Sequence, residues 1–442
     1  MRLLHTSDWH LGHTLKDVAR DHEHAAFLAW LLATCAREAP DVIVITGDVF
    51  DSATPPASAE RMWFEFLAAA RRARPAMDIV AIAGNHDSPA RLGAASSVLR
   101  ELGVHVVGGL PRTATGALDL DRILLPVAGG RGLVAAVPFL RPIDVAPDCD
   151  DPLSAIYGEV VAAARARRTP EQALVVLGHL YMVGADPSVL SERRISIGGQ
   201  EAASLRIFPD DLDYVALGHL HRAQRVGRET IRYAGAPIAL ALDEVGYRHQ
   251  VVIAEIERGV TNIRSIAIPQ INEIVRIPRR GAAPLPAVLA AIDQLPARLV
   301  GDDPARPYLE IVIALQRPEP RLRTVIETAL EGKRPRLVRL GTEVTGDGAA
   351  LGDRISTQRL AELDPRDVFG KLWSRNHAER PSAAVIGAFE RLLAQVRGDI
   401  GDLGERDRSG AIAMHREQDT SATPTASSGG IVLERPPNGD MS

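Results

Sequence analysis

The chain has 442 residues, a net charge of −5, and 46% apolar but only 4% aromatic residues. That length exceeds one compact core and predicts two or three domains packed mainly by aliphatic and alanine side chains. No run approaches the roughly 18 apolar residues that cross a bilayer, and the acidic balance argues against nucleic-acid binding by overall charge alone.

The opening MRLLHTSDWH has one arginine and almost no apolar segment, unlike a secretory signal. Cys35 and Cys149 form neither a CxxC pair nor a framework. A reducing, cytoplasmic setting is therefore expected. From the start to about residue 270, apolar strand-like runs alternate with helical patterns. Strands are expected at 3–6, 42–46, 79–83, 104–107, 133–137, 174–177 and 215–217, with helices at 21–37, 57–74, 90–101 and 153–168. Short strands separated by helices predict an α/β layered fold whose sheet is covered on both faces. Residues 232–242 and 249–268 read as consecutive strands that extend a second sheet into a sandwich.

Residues 271–341 read as a smaller unit in the order strand, helix, strand, helix, strand. They carry 12 Lys and Arg against 8 Asp and Glu, a local excess of +4 in an acidic chain. A Gly-rich loop follows at 342–353. Two amphipathic helices come next, one opened by Asp364-Pro365 with Val368, Phe369, Leu372 and Trp373 on its stripe. The other opens near Pro381-Ser382 and carries Val385, Ile386, Phe389, Leu392, Leu393 and Val396. Residues 401–442 are rich in Ser, Thr, Gly, Pro and charge, and disorder is expected there. The domain boundaries are thus 1–270, 271–350, 351–400 and 401–442.

Five of the apolar runs end in a tight polar turn bearing metal-ligand residues. They are LLHTSDWH (Asp8, His10), VIVITGD (Asp48), IVAIAGNHD (Asn85, His86), ALVVLGH (His179) and YVALGHLH (His219, His221). The carboxyl ends of strands in an α/β sheet open onto a crevice where loops converge. Glycine before the ligand (Gly47, Gly84, Gly178, Gly218) permits a sharp turn. Asp8 and His10, like His219 and His221, are two apart, and in an extended segment such pairs share a face.

The donors are carboxylate, amide oxygen and imidazole without thiolate, which argues against a structural zinc or iron–sulfur site but leaves manganese, iron, zinc and magnesium open as catalytic metals. Seven donors (Asp8, His10, Asp48, Asn85, His179, His219, His221) exceed one open site and suit two metals bridged by a carboxylate, with Asp48 the natural bridge. Two such ions clamp the attacking and leaving oxygens of phosphoryl transfer and lower the pKa of a bound water.

On these five blocks the chain resembles the calcineurin-like binuclear metallophosphoesterases over residues 1–270. The further motifs HTSDWHLG, GDVFD, GNHDS, PFLRP, GHL and GHLHRAQ make it similar to the nuclease subunits of SbcCD-type complexes, bacterial relatives of the double-strand-break repair nuclease. The resemblance implies a four-layer α/β sandwich of two mixed sheets flanked by helices, with a small α/β capping domain and C-terminal helices. It implies one metal held by Asp8, His10, Asp48 and His221 and another by Asp48, Asn85, His179 and His219, usually manganese. His86 would contact the scissile phosphate and protonate the leaving oxygen, and Asp87 would orient His86. It further implies ATP-dependent double-strand exonuclease and single-strand or hairpin endonuclease activity in DNA repair, recombination and replication. The partner would be an SbcC-type ATPase docked by the C-terminal helices, with a homodimer inside a heterotetramer and no membrane.

Other polar residues carry weaker readings. Asp51 is read as supporting a ligand, His5 as a strand histidine, and His13, His22 and His24 as cleft or surface. Arg91, Arg141 and Arg222 are either phosphate contacts or ion pairs. Two other functions fit the ligand set: a phosphoesterase for cyclic nucleotides or phosphoproteins, and a non-catalytic scaffold for an ATPase.

Overall fold

The computed structural model describes residues 1–344 apart from 146–148, 150, 187–201, 258, 302 and 318, together with 369, 373, 381–382 and 385–389. Strand β1 (Arg2–Thr6) leads into a two-residue hairpin, β2 (Thr14–Leu15) and β3 (Val18–Ala19). Helix α1 (Asp21–Glu38), β4 (Val42–Thr46), α2 (Ala57–Ala73), β5 (Asp78–Ile82), α3 (Pro89–Leu92), α4 (Ser96–Glu101) and β6 (Val104–Val107) follow. Then come α5 (Leu120–Ile123), β7 (Leu124–Val127), β8 (Gly132–Ala136), α6 (Pro152–Arg167), β9 (Ala173–His179) and β10 (Tyr214–Gly218). The region closes with β11 (Gln224–Val226), β12 (Arg228–Tyr233), β13 (Gln250–Glu257) and β14 (Val260–Ala267).

Apart from the β2-β3 hairpin, these strands form two six-stranded mixed sheets. The first runs β14-β13-β1-β4-β5-β6 and the second β11-β12-β10-β9-β8-β7. The parallel strands are nearly all apolar because both of their faces are covered. Leu3, Val42, Val44, Val80 and Ile82 point between the sheets, against Val134, Val175, Leu177 and Ala216. Their neighbours Leu4, Ile43, Ile45 and Ile79 point outward, onto Phe27, Leu31, Trp63 and Phe66 of α1 and α2. On the far side Leu174, Val176 and Val215 meet Tyr157 and Val160 of α6. The two-residue alternation thus splits each strand between two cores, and the layers stack helix, sheet, sheet, helix. Each fully buried aliphatic side chain contributes roughly 1.5–3 kcal/mol.

Three expectations are corrected. The hairpin 250–267 extends the first sheet on the free edge of β1, not the second. The strand expected at 232–242 ends at Tyr233, and the chain after it crosses irregularly toward the ligand loops. The helix expected at 90–101 is two short helices, broken around Gly93.

A third, all-parallel sheet is built from β15 (Ile274–Ile277), β16 (Ala283–Pro284), β17 (Tyr308–Leu315) and β18 (Arg336–Val344), with α7 (Leu285–Asp293) and α8 (Leu322–Ala329). Strand β17 is central, and Leu309, Ile311 and Ile313 pack with Val288, Ile292 and Ile326 in a separate core. A buried network joins this sheet to α1. Tyr308 Oη donates to Glu23 (2.6 Å), Arg20 grips the same carboxylate through two nitrogens, and His22 meets Asn272 (2.8 Å).

By Cα proximity the chain divides into Met1–Asp347 and Gly348–Ser442. In the second unit Phe369, Trp373 and residues 385–389 are helical, and Phe369 stacks on Phe389 with ring centroids 4.2 Å apart. Val368, Leu372, Leu392, Leu393, Val396 and the segment 401–442 lie outside the described residues. Among the described residues no helix is long and apolar enough to cross a membrane.

Candidate metal centre

Both sheets bring the carboxyl ends of their parallel strands to one place. The turn after β1 carries Asp8 and His10, with Trp9 between them pointing the opposite way. Trp9 is fully buried, edge-on to Phe27, Trp63 and Phe66 at 5.1–5.7 Å, and its Nε1 donates to Thr6 Oγ1 (2.9 Å). Two of the chain's four tryptophans and two of its eight phenylalanines anchor this turn.

Asp8 and His10 are not on one face of an extended segment, as their spacing predicts. Both lie in the left-handed region (φ 52° and 47°), as do Asp48 (48°) and His219 (103°). Such conformations cost on the order of 1–3 kcal/mol each and concentrate at functional sites. The main chain offsets part of the cost: Asp8 N donates to Gly47 O, His10 N to Asp48 O and Leu11 N to Val49 O, at 2.9–3.0 Å. These bonds tie the β1 and β4 turns together. Of the four glycines before ligands, Gly47 takes a left-handed φ of 91°. Gly84 instead supplies clearance, since a Cβ there would overlap Asp48 Oδ1.

Asp8, His10, Asp48, His179, His219 and His221 are all buried, with His219 the most exposed at 7%. Asp8, His10 and His221 offer ligand atoms within 4.8 Å of one another, and so do Asp8, Asp48 and His179. Asn85 Oδ1 lies 2.9 Å from His179 Nε2 and 3.0 Å from His219 Nδ1. The seven residues expected as ligands thus surround one volume, with Asp8 as well as Asp48 standing between the two halves.

The ring nitrogens facing away from this volume are engaged. His10 Nδ1 meets Asp51 Oδ1 (3.1 Å), His179 Nδ1 meets the Thr46 carbonyl (2.9 Å), and His221 Nδ1 meets Glu244 Oε1 (2.8 Å). Each bond fixes a proton on Nδ1 and turns Nε2 inward as a lone-pair donor. His10 Nε2 is buried and has no hydrogen-bond partner, 3.6 Å from Asp48 Oδ2. His179 Nε2 faces both Asn85 Oδ1 and, at 3.4 Å, Asp48 Oδ2. Lone pairs aimed at one another call for a proton or a cation between them.

The electrostatics agree. Burial pushes the Asp8 carboxyl up, only partly offset by His179 and His221. Burial also opposes charge on Asp48, but His179, His10 and His86 outweigh it and hold its carboxyl well below the usual range. His179 is desolvated, yet the facing Asp48 and Asp8 lift it to about 9. Burial, then His179, lowers His219 to about 3. The carboxylates draw a proton onto His179, and a bound cation supplies the same positive charge. The residues therefore fit divalent metal ions.

His86 borders the volume, its ring 4.8 Å from that of His10. Its main-chain N–H donates to Asp48 Oδ1 and its Nδ1 meets the Asp51 carbonyl, both at 2.8 Å. The orienting contact implied for Asp87 is absent. That carboxylate accepts instead from the N–H groups of Val49, Phe50 and Gly84, bracing two ligand turns against each other. Burial, with Asp48 nearby, raises it to about 6.

Asp51 supports His10 and also meets His13 Nδ1 (3.0 Å). His5 is a buried strand residue between Thr46 and Tyr214. His13 lines the cleft, whereas His22 joins the third sheet and His24 is buried beneath. Arg91, Arg141 and Arg222 pair with Glu60, Asp144 and Asp186. Glu244 was not visible in the sequence, because a lone acid 23 residues beyond His221 carries no pattern. Lys16 and Arg339 also line the cleft, a cavity of about 420 Å³ floored by His10, His86 and His221.

Comparison with known proteins agrees with this geometry. Residues 1–223 match the calcineurin-like phosphoesterase family, and 271–377 match a family described as type 5 capsule protein repressor C-terminal domain. The SbcD subunit of nuclease SbcCD from Rhodobacter capsulatus is 39% identical over 385 residues, covering 84% of this chain and 93% of that protein. Its namesake in Bacillus subtilis is 38% identical over 59% of this chain and 67% of that protein. The Escherichia coli K12 protein of the same name is 35% identical over 61% and 68%. The chain belongs to the calcineurin-like phosphoesterase family, in the branch of the SbcD nuclease subunits.

Proposed function

We propose that this chain is the nuclease subunit of an SbcCD-type complex, hydrolysing DNA phosphodiester bonds at the buried centre between its two sheets. The observation that carries the reading is the seven-donor cluster with His86 at its rim. Asp8, His10, Asp48 and His221 would hold one ion and Asp48, Asn85, His179 and His219 the other, with manganese the expected metal. Bound divalent ions supply Lewis acidity and activate a water near neutral pH.

The protein's own part is positional. The Asp51 carbonyl fixes the proton on His86 Nδ1, leaving Nε2 to face the substrate. A second proton at Nε2 would pass to the leaving oxygen. Asp87 holds the turns bearing Asp48 and Asn85 rather than acting on His86. Lys16, which lines the cleft, would meet a phosphate beside the scissile one.

The printed name of the relatives supports an ATPase partner. The C-terminal helices would provide its dock, with a homodimer at the centre of the assembly. Double-strand exonuclease and hairpin endonuclease activity driven by ATP follow from the same reading. The cyclic-nucleotide, phosphoprotein and scaffold readings gain no specific observation.

The test is the purified chain, with and without the ATPase subunit, given manganese and ATP on linear duplex and hairpin DNA. Cleavage of both by the complex is expected. Manganese-dependent turnover of cyclic nucleotides with no DNA cleavage would overturn the reading.

A further inference from the structure

A second concavity lies beside the loop that carries His86. Its volume is about 350 Å³, and Pro89 and Ala90, three and four residues past His86, form part of its wall. Three arginines reach it from separate segments: Arg100 in the last turn of α4, Arg112 on the extended stretch after β6, and Arg122 in α5. Close packing shapes the floor, since a Cβ on Gly108 would overlap the Pro89 carbonyl.

The charge here is unbalanced. No carboxylate is among the lining residues. Among the described residues the Arg112 side chain bonds only to the carbonyls of Gly116 and Asp144. Arg100 and Arg122 have no side-chain hydrogen bond or ion pair among the described residues. The three arginines singled out from the sequence are each paired with an acid, whereas the three in this cavity have no carboxylate against them. The Ser96 hydroxyl is already committed to the Gly93 and Val106 carbonyls. The lining has no aromatic ring on which a base could stack.

We infer that this pocket is a phosphate-binding subsite for the DNA strand leaving the metal centre, reading backbone charge and not sequence. The inference rests on the nuclease reading for the strand's path. Guanidinium forks match phosphate oxygens in pairs. Cations spread over three segments suit successive phosphodiesters better than one compact anion. A concave wall also focuses the field of its charges.

The test is Arg100→Gln with Arg122→Gln in the full-length chain. Neither side chain has a hydrogen-bond or ion-pair partner to lose among the described residues, and an unchanged melting temperature checks the fold. Binding of a fluorescein-labelled single strand is followed by anisotropy in EDTA across a salt series. The variant is expected to bind at least about tenfold more weakly at low salt, with the slope of log K against log salt shallower by about 1.4. The Arg→Lys pair, which keeps the charge, should retain the slope. An unchanged affinity and slope in the Gln variant overturns the subsite. So does a wild type in which pyrophosphate displaces the strand as well as unlabelled DNA does, because the pocket then takes a free phosphate. Cleavage of the same strand by the wild type with manganese, measured separately, reports on the nuclease reading alone.

Discussion

His221 Nδ1 and Glu244 Oε1 meet at 2.8 Å, with Glu244 fully buried and its other oxygen accepting the Leu240 N–H at 2.7 Å. One side chain therefore orients an imidazole of the metal centre and fixes the segment that closes the cleft. Glu244→Gln keeps the size but presents an amide donor to one of two N–H groups. A 10–100-fold loss of metal affinity is expected, measured by titration calorimetry with manganese. Unchanged affinity would remove the orienting role.

His86 touches the cleft while its Nδ1 is held by the Asp51 carbonyl. His86→Ala should lower kcat on DNA by about 10²–10⁴-fold while metal content, measured by elemental analysis, stays at the wild-type level. Full cleavage by this variant would show that the leaving oxygen takes its proton elsewhere.

Metal removal should weaken the fold as well as the activity, because Asp8, Asp48 and His10 Nε2 face one another in a buried volume. Ligand binding to the native state adds about 2.7 kcal/mol at a hundred times Kd. The melting temperature should fall on dialysis against EDTA and rise again with added manganese in a concentration-dependent way. A melting curve indifferent to metal contradicts the site.

His5 supplies a pH signature outside the ligand set. Burial lowers it to about 3 from an ordinary 6.5, so the folded protein keeps it neutral. The unfolded chain binds the extra proton between those values, so stability rises with pH across the window. Its contribution is complete above pH 6.5 and is lost as pH falls toward 3. His5→Gln should flatten the stability curve in that window by up to about 1.4 kcal/mol per pH unit. Urea unfolding at several pH values reads this, and an unchanged slope would contradict the buried, neutral state.

The link between α1 and the third sheet is open to a graded test. Tyr308→Phe removes one hydrogen bond to Glu23 and should cost about 1–2 kcal/mol in urea unfolding. Glu23→Ala strands the buried Arg20 and should cost about 3–5 kcal/mol. Equal costs would mean that the ion pair adds nothing beyond the tyrosine contact.

The α/β layering and the candidate ligands at the strand ends were legible because both are local. A strand buried on two faces must be continuously apolar, as in Val42–Thr46. A ligand at its carboxyl end must follow within a few residues, as Asp48 does. Folding decided whatever depends on distant partners. Residues 250–267 are equally strand-like in either sheet, and only the free edge of β1 draws them to the first. The left-handed backbone of Asp8 and His10 is set by hydrogen bonds to the turn after β4, which their spacing cannot encode. Asp87 stands next to His86 in sequence, yet its carboxylate turns to the amides of Val49, Phe50 and Gly84.

By itself, then, the sequence determined which residues stand at the strand ends that converge, because side-chain type and strand-end position are local properties. Only the tertiary structure decided what supports them: Glu244 behind His221, His10 as the ligand that Asp51 meets, and three arginines around one cavity. Those groups come from separate segments, and their meeting is a consequence of packing, for which a linear chain carries no periodic signal.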